Sequence, residues 1–232
     1  MVSGSHDPAA LQEFRTALAT RDPKTVATYL TTMRDFVSWL ATQPGGTPFH
    51  FGLVSSDQNL ADLHDTLQIV MGWDDSHLHR FLIHGRAYGI ARDGGLWFRD
   101  DPKRIRLSDL HLRIKERFLY EYDFHACWQH QIRLERTLPF DPTQTYPVCI
   151  GGARQVPPES CNGALAYLEH KQYFSIGHIG RRLLEIVEDE EARVGDYQEE
   201  AATMLYWLQA EAFDRSATNR HLARFAAGEK HW

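Results

Sequence analysis

Positive charge is in short supply in this chain. Its 25 lysines and arginines face 31 aspartates and glutamates, a net charge of −6 with histidine neutral. That balance excludes the broad positive field by which a whole surface draws nucleic acid, so any DNA contact needs a local patch. Cysteine is scarce too. Cys127, Cys149 and Cys161 are too few, and odd in number, for the disulfide framework of a small secreted domain. No stretch approaches the roughly 18 apolar residues needed to cross a bilayer. The opening MVSGSHDPAALQEF also lacks a basic segment followed by an apolar one. No membrane partner is expected, and the cytoplasm is the expected compartment. Neither Cys-x-x-Cys nor His-Glu-x-x-His occurs, so no metal site is read. An ion would have to use His77, His79, Cys149 and Cys161, with Asp123 and His130 nearby. No other cofactor is expected.

What is present is ordinary core material, 43% hydrophobic and 12% aromatic over 232 residues. The expected class is α+β: a helical N-terminal hairpin, a mainly antiparallel sheet covered by helices, and a helical C-terminal region. Asp7-Pro8 and Asp22-Pro23 each pair a capping side chain with a proline suited to a first helical turn. Leu11, Phe14 and Leu18 follow the first. Val26, Tyr29, Leu30, Met33, Phe36, Val37 and Leu40 follow the second at helical spacing. Pro44-Gly45-Gly46 ends that pattern, which places a helical segment at residues 1–46 and the α+β domain at 47–232.

In the second region a strand is expected near Phe49–Val54. A helix capped by Asp57 should follow, with Leu60, Leu63, Leu67 and Val70 on one face and Gly72 at its end. Alternation marks His77–His84, Phe118–Phe124 and Trp128–Leu134 as strands, the last two with one buried face. Pro139–Gly163 carries five prolines and three glycines without periodicity and reads as a long, functional loop. Ile176, Ile179, Leu183, Ile186 and Val187 form a helical stripe beyond it.

The candidate binding site is His77, His79, Asp123, Trp128 and His130 beside Pro157, Pro158 and Glu159 of that loop. Histidine next to carboxylate is the pattern of a proton shuttle near neutral pH. Alternation nevertheless separates Asp123 from His130, and a buried His130 satisfied by a loop carbonyl is the preferred account. Cys149 and Cys161 are expected as buried thiols.

Four motifs carry a family resemblance: LHDTLQIVMGWDDSHLHRF (Leu63–Phe81), YEYDFHACWQHQIRLE (Tyr120–Glu135), YPVCIGGARQVPPESCNGALAY (Tyr146–Tyr167) and AEAFDRSATNRHL (Ala210–Leu222). In that order they resemble the plasmid pRiA4b ORF-3-like family, whose members are often labelled transposon-passenger (TnpR-like) proteins. The resemblance spans about residues 50–225. It implies an α+β fold and an association with mobile DNA, and supplies no catalytic residues. His125-Ala126 stands where the family pattern has Gly-Asp, and Ser160-Cys161-Asn162-Gly163 where it has Asp-x-Gly-Gly. The family's opening Ile-Trp-Arg strand is not evident upstream of Leu63.

The segment RDPKTVATYLTTMRDFVSWLATQPGGTPF resembles the helical core-binding domain of tyrosine recombinases, through Thr25, Tyr29, Phe36, Trp39 and Leu40. That resemblance implies DNA contact through Arg15, Arg21, Lys24 and Arg34. These four cations are matched by Asp7, Glu13, Asp22 and Asp35, so weak binding is expected. A homodimer through Tyr29, Phe36 and Trp39 is the competing use of the hairpin. His221-x-x-Arg224 imitates part of a recombinase site, but no tyrosine follows Arg224 to attack phosphate. Ser3 and Ser5, at the very start of the chain, do not make a serine-recombinase site either. The expected function is a non-catalytic binding or accessory module associated with mobile DNA. The alternatives are an enzyme of unassigned reaction using His130, Asp123, His77 or His79, and a DNA-binding remnant of a recombinase.

Overall fold

Alternation builds the sheet. The computed structural model describes residues 27–32, 49–90, 98, 100–189, 197–209 and 212–229. Seven antiparallel strands run in the order β4-β3-β5-β6-β1-β2-β7. They are β1 (Ala27–Thr32), β2 (Phe49–Ser55), β3 (His79–Ile83), β4 (Arg86–Gly89), β5 (Arg117–Tyr122), β6 (Trp128–Leu138) and β7 (Val148–Ala153). In β5, and in β6 as far as Leu134, every second residue is buried, and the register sets Tyr120 opposite His130 and Tyr122 opposite Trp128. The other face carries charge: Arg80 donates to Glu121, which also accepts from Gln129 at 2.9 Å. One face of these strands is core and the other is wetted, as the alternation implies.

The helix α1 (Leu60–Met71) covers the core face. Asn59 caps it by accepting from the Asp62 amide at 2.9 Å, and Gly72 closes it at φ 72° in the left-handed region. The cap is therefore Asn59, two residues beyond the expected Asp57, because an N-cap oxygen must reach the amides of the first turn. Leu60, Leu63, Leu67 and Met71 join Phe81, Phe118, Tyr120, Tyr122, Trp128 and Ile132 in one core. Ile69, on another side of α1, meets Cys149 of β7 and Leu222 in a second, smaller cluster.

Two strands differ from the sequence expectation. Ala27–Thr32 lies inside the second predicted helix, yet its backbone is extended and pairs with both β2 and β6. Its Thr28, Thr31 and Thr32 suit a strand as well as a helix. The remainder of the predicted helical hairpin lies outside the described residues. So do Arg15, Arg21, Lys24 and Arg34, and also Phe36 and Trp39.

The second difference is β7, which occupies the middle of the expected loop. Gly151 and Gly152 erase its alternation in the sequence. Gly152 is required by packing: a Cβ there would meet the His50 ring at 2.7 Å and Phe213 at 2.8 Å. As an edge strand β7 needs cover. Asn219 provides it, accepting from the Cys149 amide at 2.7 Å and donating to the Cys149 carbonyl at 2.8 Å.

The C-terminal region is helical as expected, with α2 (Ala164–Tyr173), α3 (Ile176–Glu188), α4 (Gln198–Gln209) and α5 (Arg215–Ala226). Asp214 caps α5 by accepting from the Ala217 amide. Gly163, just before α2, has φ 100°, and a Cβ there would stand 2.8 Å from the Ala126 carbonyl oxygen. Only glycine fits that approach.

Candidate functional site

The loop after α1 holds Trp73, Asp74, Asp75, Ser76 and His77, and it faces the segment Gln155–Ser160. Hydrogen bonds fasten them, among them one from the Trp73 indole to the Pro157 carbonyl at 2.8 Å and one from the Asp74 amide to Glu159 Oε2 at 2.8 Å. Between them lies a cleft of about 350 Å³. Trp73, Val156, Pro157 and Pro158 form its apolar wall. Asp74, Ser76, His77 and Glu159 form its polar one, and Tyr206 of α4 closes an end. Among the described residues no lysine or arginine lines it.

Glu159 is the most constrained group. Besides the Asp74 amide it accepts from Ser76 Oγ at 2.7 Å and from the Tyr122 hydroxyl in a short bond. Burial, and then donation to Glu159, push the Tyr122 phenol far above its ordinary range. It is a permanent donor. The Tyr122 oxygen also accepts the His77 amide at 3.1 Å. His77 is half-exposed and precedes β3 rather than lying in it, with Nε2 3.7 Å from Asp123 Oδ2 and 4.0 Å from Glu159 Oε1. An imidazole between two carboxylates can donate to either.

Of the expected site residues, His77, Pro157, Pro158 and Glu159 thus line the cleft, and Asp123 stands beside His77 without lining it. His79, Trp128 and His130 lie beneath it in the core. Asp123 is at φ 49° and accepts from the amides of His125 and Ala126 at 3.0 and 3.2 Å, shaping the turn from β5 to β6. His130 packs edge-on against Trp73 with ring centroids 5.2 Å apart. Neither of its ring nitrogens has a hydrogen-bond partner among the described residues. The expected loop carbonyl is therefore not its partner. Burial, and secondarily His50, lower its pKa to about 3, so it is neutral aromatic filling.

The cysteines are elsewhere. Cys149 belongs to the β7–α5 cluster, Cys161 to the main core, and burial pushes both thiols up to about 11. Neither joins a group with His77 and His79. His221 and Arg224 lie on the exposed side of α5, where Arg224 pairs with Glu229 at 2.6 Å.

Three participants were not singled out in the sequence: His64 of α1, Asp75 and Tyr120. His64 Nε2 meets Asp75 Oδ1 at 2.8 Å and its Nδ1 meets the Tyr120 hydroxyl at 2.8 Å. The His64 ring stacks on His79, with centroids 3.5 Å apart and planes 10° apart. The available signal was density, since His64, Asp74, Asp75, His77 and His79 share one motif.

Comparison with known proteins places this geometry. Residues 53–222 match the family model described as Plasmid pRiA4b ORF-3-like protein. The chain is 34% identical over 115 residues to the uncharacterized protein y4hQ of Sinorhizobium fredii (strain NBRC 101917 / NGR234). That match covers 47% of this chain and 57% of y4hQ, so the chain spans a little over half of that relative. A crystal structure titled as protein of unknown function MM3350 from Methanosarcina mazei Go1 shares 28% identity and superposes with a TM-score of 0.57. It covers 83% of this chain and 97% of its own.

Proposed function

From the premise that this chain belongs to the plasmid pRiA4b ORF-3-like family, we propose that it is a non-catalytic binding or accessory module associated with mobile DNA, and that the Trp73–Glu159 cleft takes its ligand. The carrying observation is Glu159. Three donors, Tyr122, Ser76 and the Asp74 amide, hold its carboxylate at a cleft lined also by Asp74 and, among the described residues, free of lysine and arginine. A wall of indole and proline beside fixed anions suits a small ligand with an apolar body and an amine or guanidine head. It repels phosphate, which argues against the cleft as a nucleic-acid site.

The test is a thermal-shift and calorimetric screen with putrescine, agmatine and tryptamine, with ATP as the anionic control. At least one cation should raise the melting temperature, and Glu159→Gln should weaken that cation by about tenfold, the loss of a charge-assisted hydrogen bond. Silence from every cation, or equal binding by Glu159→Gln, overturns the reading.

Binding to duplex DNA through Arg15, Arg21, Lys24 and Arg34 should be weak and sequence-indifferent. Each phosphate contact adds about 0.9 to the slope of log affinity against log salt. An electrophoretic titration over a salt series measures the binding, and a nicking assay on supercoiled plasmid, in which no cleavage is expected, measures the chemistry. Tight salt-resistant binding would make DNA the primary ligand, and a covalent adduct would overturn the non-catalytic reading.

A further inference from the structure

Beneath the cleft, α1, the loop that follows it and β3 deliver His64, Asp75 and His79 to one place. One donor atom from each lies within 4.8 Å of the other two. We propose that these three side chains form a binding site for a divalent first-row transition ion, with zinc as its simplest probe.

The donor set is the first argument. Two imidazoles and one carboxylate suit zinc, iron(II) or cobalt(II), while magnesium and calcium prefer oxygen alone. The second is the shell behind it. A ligating histidine is usually held by a hydrogen bond at its other ring nitrogen. His64 Nδ1 is engaged at 2.8 Å by the Tyr120 hydroxyl, which also accepts from Gln68 Nε2 at 2.8 Å. Gln68 Oε1 in turn accepts the Asp75 amide at 3.2 Å. One glutamine therefore positions both the tyrosine that orients His64 and the loop that carries Asp75. With Nδ1 taken, Nε2 faces Asp75.

The third argument is access. His64 and His79 are buried, while the Asp75 side chain is 24% exposed between two residues that line the cleft. Three protein donors and one open side make the arrangement of a zinc centre that keeps a position for water or a ligand. Without an ion, a hydrogen bond joins His64 Nε2 to Asp75 and the rings stack. To coordinate, the shared proton leaves as the ion enters, and the two rings tilt so that their lone pairs converge on bonds of about 2.0–2.1 Å.

The test uses the full chain, stripped with a chelator and shown to be folded by circular dichroism. Calorimetric titration with zinc should give one equivalent, and cobalt(II) should give visible bands of the same stoichiometry. Tyr120→Phe should weaken zinc by roughly 10–100-fold, as loss of an outer partner does, and Asp75→Asn or His79→Gln by more. With 13 histidines in the chain, His111→Gln and His125→Gln on the exposed surface control for adventitious binding and should change nothing. The zinc titration and the cleft-cation screen are separate readouts on the same unsubstituted chain, so failure of the cleft ligand and failure of the metal site are separable. Absence of one-equivalent binding, or its survival in folded Asp75→Asn, overturns the proposal and leaves a stacked histidine pair hydrogen-bonded to aspartate.

Discussion

Leu60, Leu63, Leu67 and Met71 of α1 are all buried, two of them completely. In α3, Ile176, Ile179, Leu183 and Val187 repeat nearly the same spacing, yet Ile179 alone is buried there, and Ile176 and Val187 are 82% and 81% exposed. The two stripes are indistinguishable as patterns. They differ in what the fold brings to them. The aromatic face of β3, β5 and β6 covers one side of α1, and the β7–α5 cluster meets another. Among the described residues the α3 stripe is covered at Ile179 and left open at both ends. Periodicity says that a helix has an apolar face, and only long-range topology says whether that face contributes to stability.

Acid should open this contrast widest. Burial holds His130 neutral down to about 3 and His50 down to about 4, against an ordinary value of 6.5. Below pH 6.5 the unfolded chain takes up protons that the folded sheet refuses. The stabilisation is therefore complete above pH 6.5 and is lost as pH falls toward the folded values, at about 1.4 kcal/mol per pH unit for each histidine. Urea midpoints followed by tryptophan fluorescence should fall steeply from pH 6.5 to 4.5, and His130→Phe should flatten the curve. A midpoint unchanged over that range would mean the histidines are hydrated.

Trp128→Ala should cost about 3–5 kcal/mol, because the completely buried indole leaves a cavity. Leu63→Ala should follow at about 2–5 kcal/mol for the same reason. Gln129→Ala, on the charged face, removes one hydrogen bond to Glu121 and should cost about 1 kcal/mol. Last comes Val187→Ser, expected within about 0.5 kcal/mol of the parent. Chemical denaturation of the four variants ranks them. A loss at Val187 as large as that at Leu63 would show that something covers α3 after all.

The elements most legible in the sequence were those whose periodicity and burial agree. β5 and β6 alternate in sequence and in space, and α1 runs from its cap to Gly72 as its spacing predicts. β7 was hidden because its glycines carry no side chain to alternate. β1 was hidden because Tyr29 and Leu30 fit a helical face as well as a strand. At the site, His77, Asp123 and Glu159 stood in three separate motifs and meet in space. His64 and Asp75 escaped because a histidine inside an amphipathic helix reads as filler. Their distance of 2.8 Å depends on how α1 lies across the sheet, which no local pattern encodes.

The close approach of Gly163 to Ala126 ties the turn between β5 and β6 to the start of α2. Ala126 lies in the turn from β5 to β6 on one side of that contact, and Ser160-Cys161-Asn162 leads into Gly163 on the other. Asn162 sits at φ 59°, where asparagine is the side chain that best stands in for glycine. Ala126 and Cys161 pack against the same core. The two turns are neighbours across a 2.8 Å seam, so a side chain added at Gly163 disturbs both halves of one joint. Gly163→Ala should cost more than a surface substitution, because its Cβ would press on the Ala126 carbonyl oxygen at a backbone angle that favours glycine.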